Sequence, residues 1–576
     1  MEQIEKIRHS LAHILAAAVM EKWPKTKLAI GPAIENGFYY DMELPTALKP
    51  EDLEMLEGRM KELIQEKQKF VGKKVSKVIA KKLFAKSPYK LEIVKELKEG
   101  QITTYQNGAF LDLCRGGHVK NTSEIDPNAF KLTKTAGAYW RGDEKNKMLT
   151  RIYGVAFETE KELMDYLNMQ AEAEKRDHRK LGRELDLFTF SELVGPGLPL
   201  YLPKGTILRD ELIGFSESLQ KAKGFQKVWI PHITKIELYK TSGHWDKFGQ
   251  ELFLVTSQES SDQFALKPMN CPHHTQIYAA KPRSYRDLPL RLMESTTVYR
   301  DEKTGELGGL TRVRSLTQDD AHVFCTLEQV EQEFENIMGM IKTLYGTLGM
   351  SFKARLSFSD PKNPKKYLGD KAAWKKAEET LEHVAKKLGL DYEIAKGEAA
   401  FYGPKIDIMV IDALGREWQC ATEQLDFVQP VRFGLEYVAE DGTKKAPVMI
   451  HKALLGTIDR FLGVYIEHTA GVFPLWMSPV QVAVLPISEK HAQYAAEIME
   501  ELNKHGMRAE LKAESESLGK RIREAEMQKT PYVLIMGDKE IEAKKISVRA
   551  RGKGDLGQMD LAAFIQNVTE EIKHKK

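Results

Sequence analysis

The stretch KIDIMVIDALGREWQCATEQLDF, residues 405–427, constrains this chain more than any other. Ile406, Ile408 and Val410 alternate with Asp407, Met409 and Ile411, the period of a strand with one buried face. ALGR then makes a turn and a second strand-like run returns. Such a hairpin predicts an antiparallel sheet. At 576 residues the chain exceeds what one core can hold, so three or four domains are expected.

Punctuation along the chain suggests where they divide. EDLEMLEGRMKELIQEKQKF has the apolar spacing of an amphipathic helix. FETEKELMDYLNMQAEAEKRDHRKLGREL lacks Gly and Pro until Gly182 and suits a rigid helical connector. GPGLPLYLPKG then precedes a new helix, TILRDELIGFSESLQKAKG. From SPVQVAVLPIS onward, strands alternate with helices, an α/β module of about a hundred residues. The expected division is 1–157, a linker helix over 158–183, a large sheet domain over 184–478, and 479–576.

Composition excludes little but narrows the setting. No run approaches the ~18 apolar residues of a membrane span, and the N-terminus lacks a signal-peptide pattern. The four cysteines, Cys114, Cys271, Cys325 and Cys420, form no CxxC pair. A reducing cytoplasm is expected, with no disulfide framework. There are 86 basic and 83 acidic side chains, a net charge of +3, so bulk charge does not announce a nucleic-acid binder. Two basic clusters, Lys175 to Arg183 and KKISVRARGKG, suit phosphates or a solvated face equally well.

The hairpin from Glu294 to Phe324 carries polar groups where an ordinary sheet carries Val and Ile. Arg300, Glu302, Arg312, Arg314, Gln318, Asp319, Asp320 and His322 lie on its two strands and the loop KTGELGGL. Arginine forks and carboxylates directed to one face suit a polyphosphate with its Mg²⁺. A surface hairpin with cross-strand ion pairs is the alternative. The chain has no GxxxxGK[ST] or GxGxxG, so ATP would be held by side chains and not by a glycine-rich loop.

Near the start, HSLAH places His9 and His13 four apart. On a helical wheel Ile4, Ile7, Leu11, Ile14, Leu15 and Ala18 share one face. The histidines lie opposite, among Ala12, Ala16 and Met20, as in the wall of a cleft. DLCRGGHV adds Cys114 and His118, with Asp112 before them. The four donors suit a tetrahedral zinc site and a metal-free hydrolytic site about equally.

The runs KPMNCPHH through AHVFC (267–325), FYGPKIDIMVIDALGREWQCATEQLDF and APVMIHKALLGTIDRFLGVYIEHTAGVFPLWMSPVQVAV resemble threonyl-tRNA synthetases, class II aminoacyl-tRNA synthetases. HSLAHILAAAV, LAIGPAIENGFYYD, DLCRGGHV, KTAGAYWRGD and KRDHRKLGRELDLF extend the resemblance over essentially the whole chain. It implies an α+β multidomain fold. An α+β editing domain comes first, then a class II antiparallel sheet flanked by helices, then an α/β anticodon-binding domain. It also implies a homodimer built on the GPGLPLYLPKGTILRDEL region, and no room for the ubiquitin-like domain with which many bacterial members begin.

The implied reaction joins threonine to tRNA(Thr) through threonyl-adenylate. Arg300 would bridge the carboxylate and α-phosphate, Arg460 and Arg312 would hold phosphates, and Glu302 would read the adenine amino group. Gln318, Tyr402, Lys405 and Gln424 match residues around the amino acid, Gln419 and Thr422 match ATP neighbours, and His244 matches a histidine assisting transfer. Cys271, His322 and His451 match three zinc ligands; Asp320 would accept the threonine hydroxyl. Valine has no hydroxyl and is refused, but serine lacks only a methyl, worth ~1–3 kcal/mol, so a second sieve is expected. The resemblance places that sieve at His9, His13, Cys114 and His118, with Tyr40, Lys90 and Asp112, hydrolysing seryl-tRNA(Thr) without zinc. Arg521, Arg523, Glu540 and Arg549 are the anticodon candidates. Leu316 replaces a usual aromatic at the adenine face, His273 a usual glycine, and Gly117 a usual proline; ESTTVYRDE departs from a usual Phe-Gly form. A prolyl or seryl ligase would not carry the Cys271, His322 and His451 set, and an editing-only paralogue would be expected to lose Arg300 or Arg460. An additional regulatory RNA-binding role is compatible with all of this.

Overall fold

Helix α1, Gln3–Lys22, is buried on both of its faces: Ala12 and Ala16 are as enclosed as Leu11 and Ile14. It packs on strand β1, Gly37–Glu43, and helix α2, Pro50–Gln65. The computed structural model describes residues 2–513 and 516–575, divided into units Met1–Glu172 and Ala173–Lys576. In the first unit a three-stranded sheet comprises β2 (Phe70–Lys74), β3 (Thr103–Asn107) and β4 (Phe110–Leu113), with helix α3, Pro88–Glu96, between β2 and β3 in the chain. A five-stranded sheet includes β1, β5 (Phe130–Tyr139) and β6 (Met148–Ala156).

The run expected as one connector helix is broken. Helix α4, Glu160–Arg176, stops, and the Asp177 carboxylate caps helix α5, His178–Glu184, by accepting the Arg179 N–H at 2.8 Å. Asp favours such caps over helix interiors because its short side chain reaches the free N–H groups.

The second unit holds helix α6 (Pro203–Ala222), strand β7 (Gln226–Lys227) and helix α7 (Cys271–Ala279). There follow β8 (Leu290–Tyr299), β9 (Ser315–Cys325), helix α8 (Val330–Thr347), β10 (Ser351–Phe358) and helix α9 (Lys371–Lys387). Then come β11 (Tyr392–Lys396), β12 (Lys405–Ile411), β13 (Glu417–Asp426), β14 (Val448–Thr457) and helix α10 (Ile458–Thr469). One sheet runs β7-β8-β9-β14-β13-β12-β10-β11, antiparallel except at its two edges. Ile406, Ile408 and Val410 bury in the same core as Phe334, Ile337, Ile341 and Leu344 of α8. The opposite face of the sheet is left for polar side chains.

The C-terminal module forms a mixed sheet ordered β16-β15-β17-β18-β19, from β15 (Val482–Pro486), β16 (Ala509–Leu511), β17 (Tyr532–Met536), β18 (Ile546–Ala550) and β19 (Gly554–Met559). Strands alternate with helices, as expected, and those strands pair in parallel; the last two strands pair antiparallel.

Pairing of β9 with β14 shifts between Gln318, opposite Thr457, and Asp320, opposite Ala453. Asp319 spans the gap. Its carboxylate accepts the N–H groups of Leu454 (3.1 Å), Leu455 (3.0 Å) and Gly456 (3.0 Å), and the Ser216 hydroxyl of α6 at 2.6 Å. Asp319 therefore does not share the face of Gln318 and Asp320, contrary to the sequence expectation, because neighbouring strand residues point to opposite faces. Asp319→Ala strands three buried donors at about 1–3 kcal/mol each. Chemical denaturation should show the second unit destabilised by about 3 kcal/mol or more; an unchanged midpoint contradicts the assignment.

Candidate active sites

Register sets out the first site. His322 pairs across to His451, His451 to Gln424, and Gln424 to Lys405, so one row crosses four strands. The next row is Asp320, Ala453, Thr422 and Asp407. Cys271, at the start of α7, completes a buried set in which donor atoms of Cys271, His322 and His451 all lie within 4.8 Å of one another. His322 Nε2 and His451 Nδ1 are 3.1 Å apart. Two nitrogens at ~2.0–2.1 Å from a tetrahedral ion would be roughly 3.3 Å apart, so this soft, closely spaced donor set fits zinc. His451 Nε2 donates to Asp426 at 2.8 Å, leaving the Nδ1 lone pair for a metal. His322 Nδ1 lies 2.8 Å from His274 Nδ1, which can accept its proton. Burial pushes the Cys271 thiol up; a divalent cation would displace its proton on binding.

Around this set, Asp320 accepts the Asn270 amide at 2.9 Å, and the Tyr402 hydroxyl donates to Gln424 at 2.7 Å. His244 is buried, with Nδ1 2.7 Å from the Ser242 hydroxyl and Nε2 3.8 Å from the Cys271 sulfur. Burial holds its imidazole down at about 3.

Strand β8 ends at Tyr299 and β9 begins at Ser315, so Arg300, Glu302, Arg312 and Arg314 occupy the loop and not the strands as expected. The Glu302 carbonyl accepts the Arg314 guanidinium (2.8 Å), and the Thr311 carbonyl accepts Arg460 Nε at 3.0 Å. His178 Nε2 accepts the Leu310 N–H at 3.0 Å while its Nδ1 donates to Glu467 of α10 at 2.7 Å. Asp177, His178 and Glu467 form a further cluster of metal-ligating types, but both His178 nitrogens already have partners. Arg312 is paired with Glu302 (2.7 Å) and Glu306 (2.6 Å). Arg300 is half-buried, with a guanidinium nitrogen 3.0 Å from the Met269 sulfur. Leu316 packs with Val298 and Val313.

The second site lies in the first unit. A groove of about 1070 Å³ is lined by His9, His13, Tyr40, Lys90, Asp112 and Cys114, among others. The Cys114 sulfur is 3.3 Å from His9 Nε2 and 3.2 Å from His118 Nε2. Lys90 pairs with Asp112 at 2.7 Å and donates to the Tyr40 hydroxyl at 3.1 Å; Tyr40 donates to Asp112. Burial holds His118 at about 2 and pushes His13 well below the usual imidazole range. These rings are neutral at physiological pH, and burial disfavours their protonated form, so they suit holding a water by hydrogen bonds more than taking its proton.

In the C-terminal module, Arg521 is buried and donates to the carbonyls of Pro486 (2.7 Å), Lys512 (3.1 Å) and Glu516 (3.0 Å). Glu540 accepts the Gly537 N–H and the Gln558 amide. Both are engaged within the module, which does not favour their use on anticodon bases. Arg523 is exposed, and Arg549 lies on β18 at 3.9 Å from Glu526.

Three family models match: the tRNA synthetase class II core domain (G, H, P, S and T) over 253–469, an anticodon binding domain over 481–571, and the threonyl and alanyl tRNA synthetase second additional domain over 102–153. A threonine–tRNA ligase of Gloeobacter violaceus is 49% identical over 99% of this chain and 93% of its own length. That of Thermus thermophilus is 49% identical over 99% of this chain and 89% of its own. The chain belongs to the threonine–tRNA ligase family. The crystal structure of the RNA binding domain of threonyl-tRNA synthetase from Cryptosporidium parvum superposes with a TM-score of 0.66 at 39% identity, covering 69% of this chain and 98% of that one.

Within this threonine–tRNA ligase fold, sequence reasoning missed the residues that hold the others. Asp426 orients His451, Asn270 orients Asp320, and His178 joins the loop to α10. Asn270 precedes Cys271 directly and was open to suspicion; Asp426 and His178 carry no local signal. Burial pushes the Cys114 thiol up to about 11, so at pH 8 almost none of it is thiolate. Cys114 should react with iodoacetamide at least about a hundred-fold more slowly than an ordinary exposed thiol. Rapid alkylation, mapped by peptide mass, would make it a nucleophile after all.

Proposed function

We propose that this chain activates L-threonine with ATP, transfers it to tRNA(Thr), and hydrolyses seryl-tRNA(Thr) in its first unit. The observation carrying the proposal is the buried Cys271, His322 and His451 set beside Asp320, Tyr402 and Gln424. Zn²⁺ held by these three would act as a Lewis acid toward the substrate's amino group and hydroxyl. Asp320, fixed by Asn270, accepts a hydrogen bond from the hydroxyl, and Tyr402 with Gln424 bounds the amino acid. Arg300 holds the carboxylate against the α-phosphate, while Arg460 and Arg312 hold the remaining phosphates with Mg²⁺. Glu302 reads the adenine amino group and Leu316 covers the ring by apolar contact. Activation needs only positioning and charge stabilisation, with no strong base. His244 then assists transfer to the tRNA hydroxyl.

In the editing groove, His9, His13 and His118 orient water as neutral imidazoles. Lys90, held by Asp112 at 2.7 Å, is the group proposed to meet the ester. Arg549 and Arg523 are the anticodon contacts favoured by their positions. A homodimer would cover exposed apolar groups such as Leu193 and Trp229, which are 100% and 77% exposed. The proposed compartment is the cytoplasm. Among the described residues no helix is long and apolar enough to cross a membrane.

ATP–pyrophosphate exchange over a panel of amino acids tests the first half. Threonine should drive it, serine weakly and valine not at all; exchange driven by proline, or none with threonine, sinks the reading. Cys271→Ser should remove about one zinc per chain along with threonine-dependent exchange. The double variant His9→Ala, His13→Ala should keep threonylation and let seryl-tRNA(Thr) accumulate. Unchanged hydrolysis of preformed seryl-tRNA(Thr) would remove the editing assignment.

A further inference from the structure

Asp407 is a charged residue in the middle of a strand whose neighbours, Ile406 and Ile408, are fully buried on the helix side. It points the other way, toward the activation site, and is itself only 2% exposed. One carboxylate oxygen accepts the Gln419 amide at 2.8 Å and the Thr422 hydroxyl at 3.1 Å. The other accepts the Ser357 hydroxyl at 2.7 Å and the Lys405 ammonium. An ionised carboxylate accepts and never donates, and four donors occupy its lone-pair directions. A shift in register between Asp407 and Met409 brings Gln419 within reach alongside Thr422.

We infer that Asp407 is the positioning residue of the activation site, fixing at one carboxylate two side chains expected beside ATP, Gln419 and Thr422, and one expected around the amino acid, Lys405. The inference rests on the threonine-activation reading. Asp407 lies beneath these side chains and acts on substrates only through them. Lys405, Gln419 and Thr422 each end in a group free to rotate; tying all three to one buried charge removes that freedom before substrates arrive. The carboxylate also balances the Lys405 ammonium, so the lysine is held in place between turnovers.

Asp407→Asn tests this in the full chain. The substitution keeps the shape but turns an –NH₂ toward donors that need an acceptor. ATP–pyrophosphate exchange should lose roughly ten- to a hundred-fold in kcat, as for other residues that orient a functional group. KM should rise for both ATP and threonine. A merely structural role would reduce the folded fraction and leave both KM values unchanged, and that result overturns the inference. Asp407→Glu restores the charge and should recover at least half of the loss on a logarithmic scale. Recovery no better than with Asn also counts against it. A double-mutant cycle removes the dependence on folding yield: with Lys405→Ala already present, Asp407→Asn should cost several-fold less than it does alone. Strictly multiplicative effects would show that the two residues act separately. If the unaltered chain exchanges with threonine while Asp407→Asn behaves identically, this inference fails alone; no threonine exchange by the unaltered chain fails the activation reading beneath it.

Discussion

The activation site depends on the register of β9, β14, β13 and β12. Because side chains alternate between faces, a slip of one residue in any of these pairings would send His322, His451 or Gln424 into the helix-side core. Register here is secured twice. Apolar residues on the odd positions of β9 and the even positions of β12 must meet α8, and the Asp319 carboxylate clasps three N–H groups where β14 departs from β9. The clasp lies on the hidden face and the chemistry on the open one. A local irregularity in pairing is thus stabilised by the same strand that carries Asp320 and His322.

On the proposed reading, the two sites would meet one discrimination problem by different physics. A metal held by a buried thiol and two imidazoles would favour a hydroxyl-bearing substrate, since a group unable to coordinate leaves a costly unfilled position. It would have much less purchase on a single methyl. The first unit holds a polar groove in which burial keeps several imidazoles neutral and one Lys90–Asp112 pair supplies charge. Separate units allow each environment its own charge and solvent exposure.

Much of this could be read from the residues. The alternation at Ile406, Ile408 and Val410 gave the antiparallel sheet, and HSLAH with CRGGH identified a cleft drawing on distant segments. The long connector was less legible: a single Asp177 ends one helix and starts another, and composition alone does not separate a capping aspartate from a solvated one. Cys271, His322 and His451 lie on three separated elements and have no spacing of their own; resemblance, and not periodicity, pointed to them. The orienting residues Asp426 and His178 were silent because their roles exist only once strands pair and loops close; Asn270 stood out only by its place beside Cys271. Arg521 shows the opposite error, where a basic residue in a nucleic-acid-binding module proves to be an internal tie between backbone carbonyls.

The ion pairs of Arg312 with Glu302 and Glu306 carry a kinetic implication. An arginine already paired with two carboxylates projects no net positive long-range field, so it does not hasten the encounter with a polyanion as a bare cation would. If Arg312 holds phosphate as proposed, a nucleotide entering there would exchange partners with groups a few ångströms apart. Its capture would then vary gently with ionic strength, and its departure would be eased by carboxylates ready to take the guanidinium back. On that reading the loop would trade speed of encounter for ease of release, a balance suited to an enzyme that must shed one charged product before it can accept the next substrate.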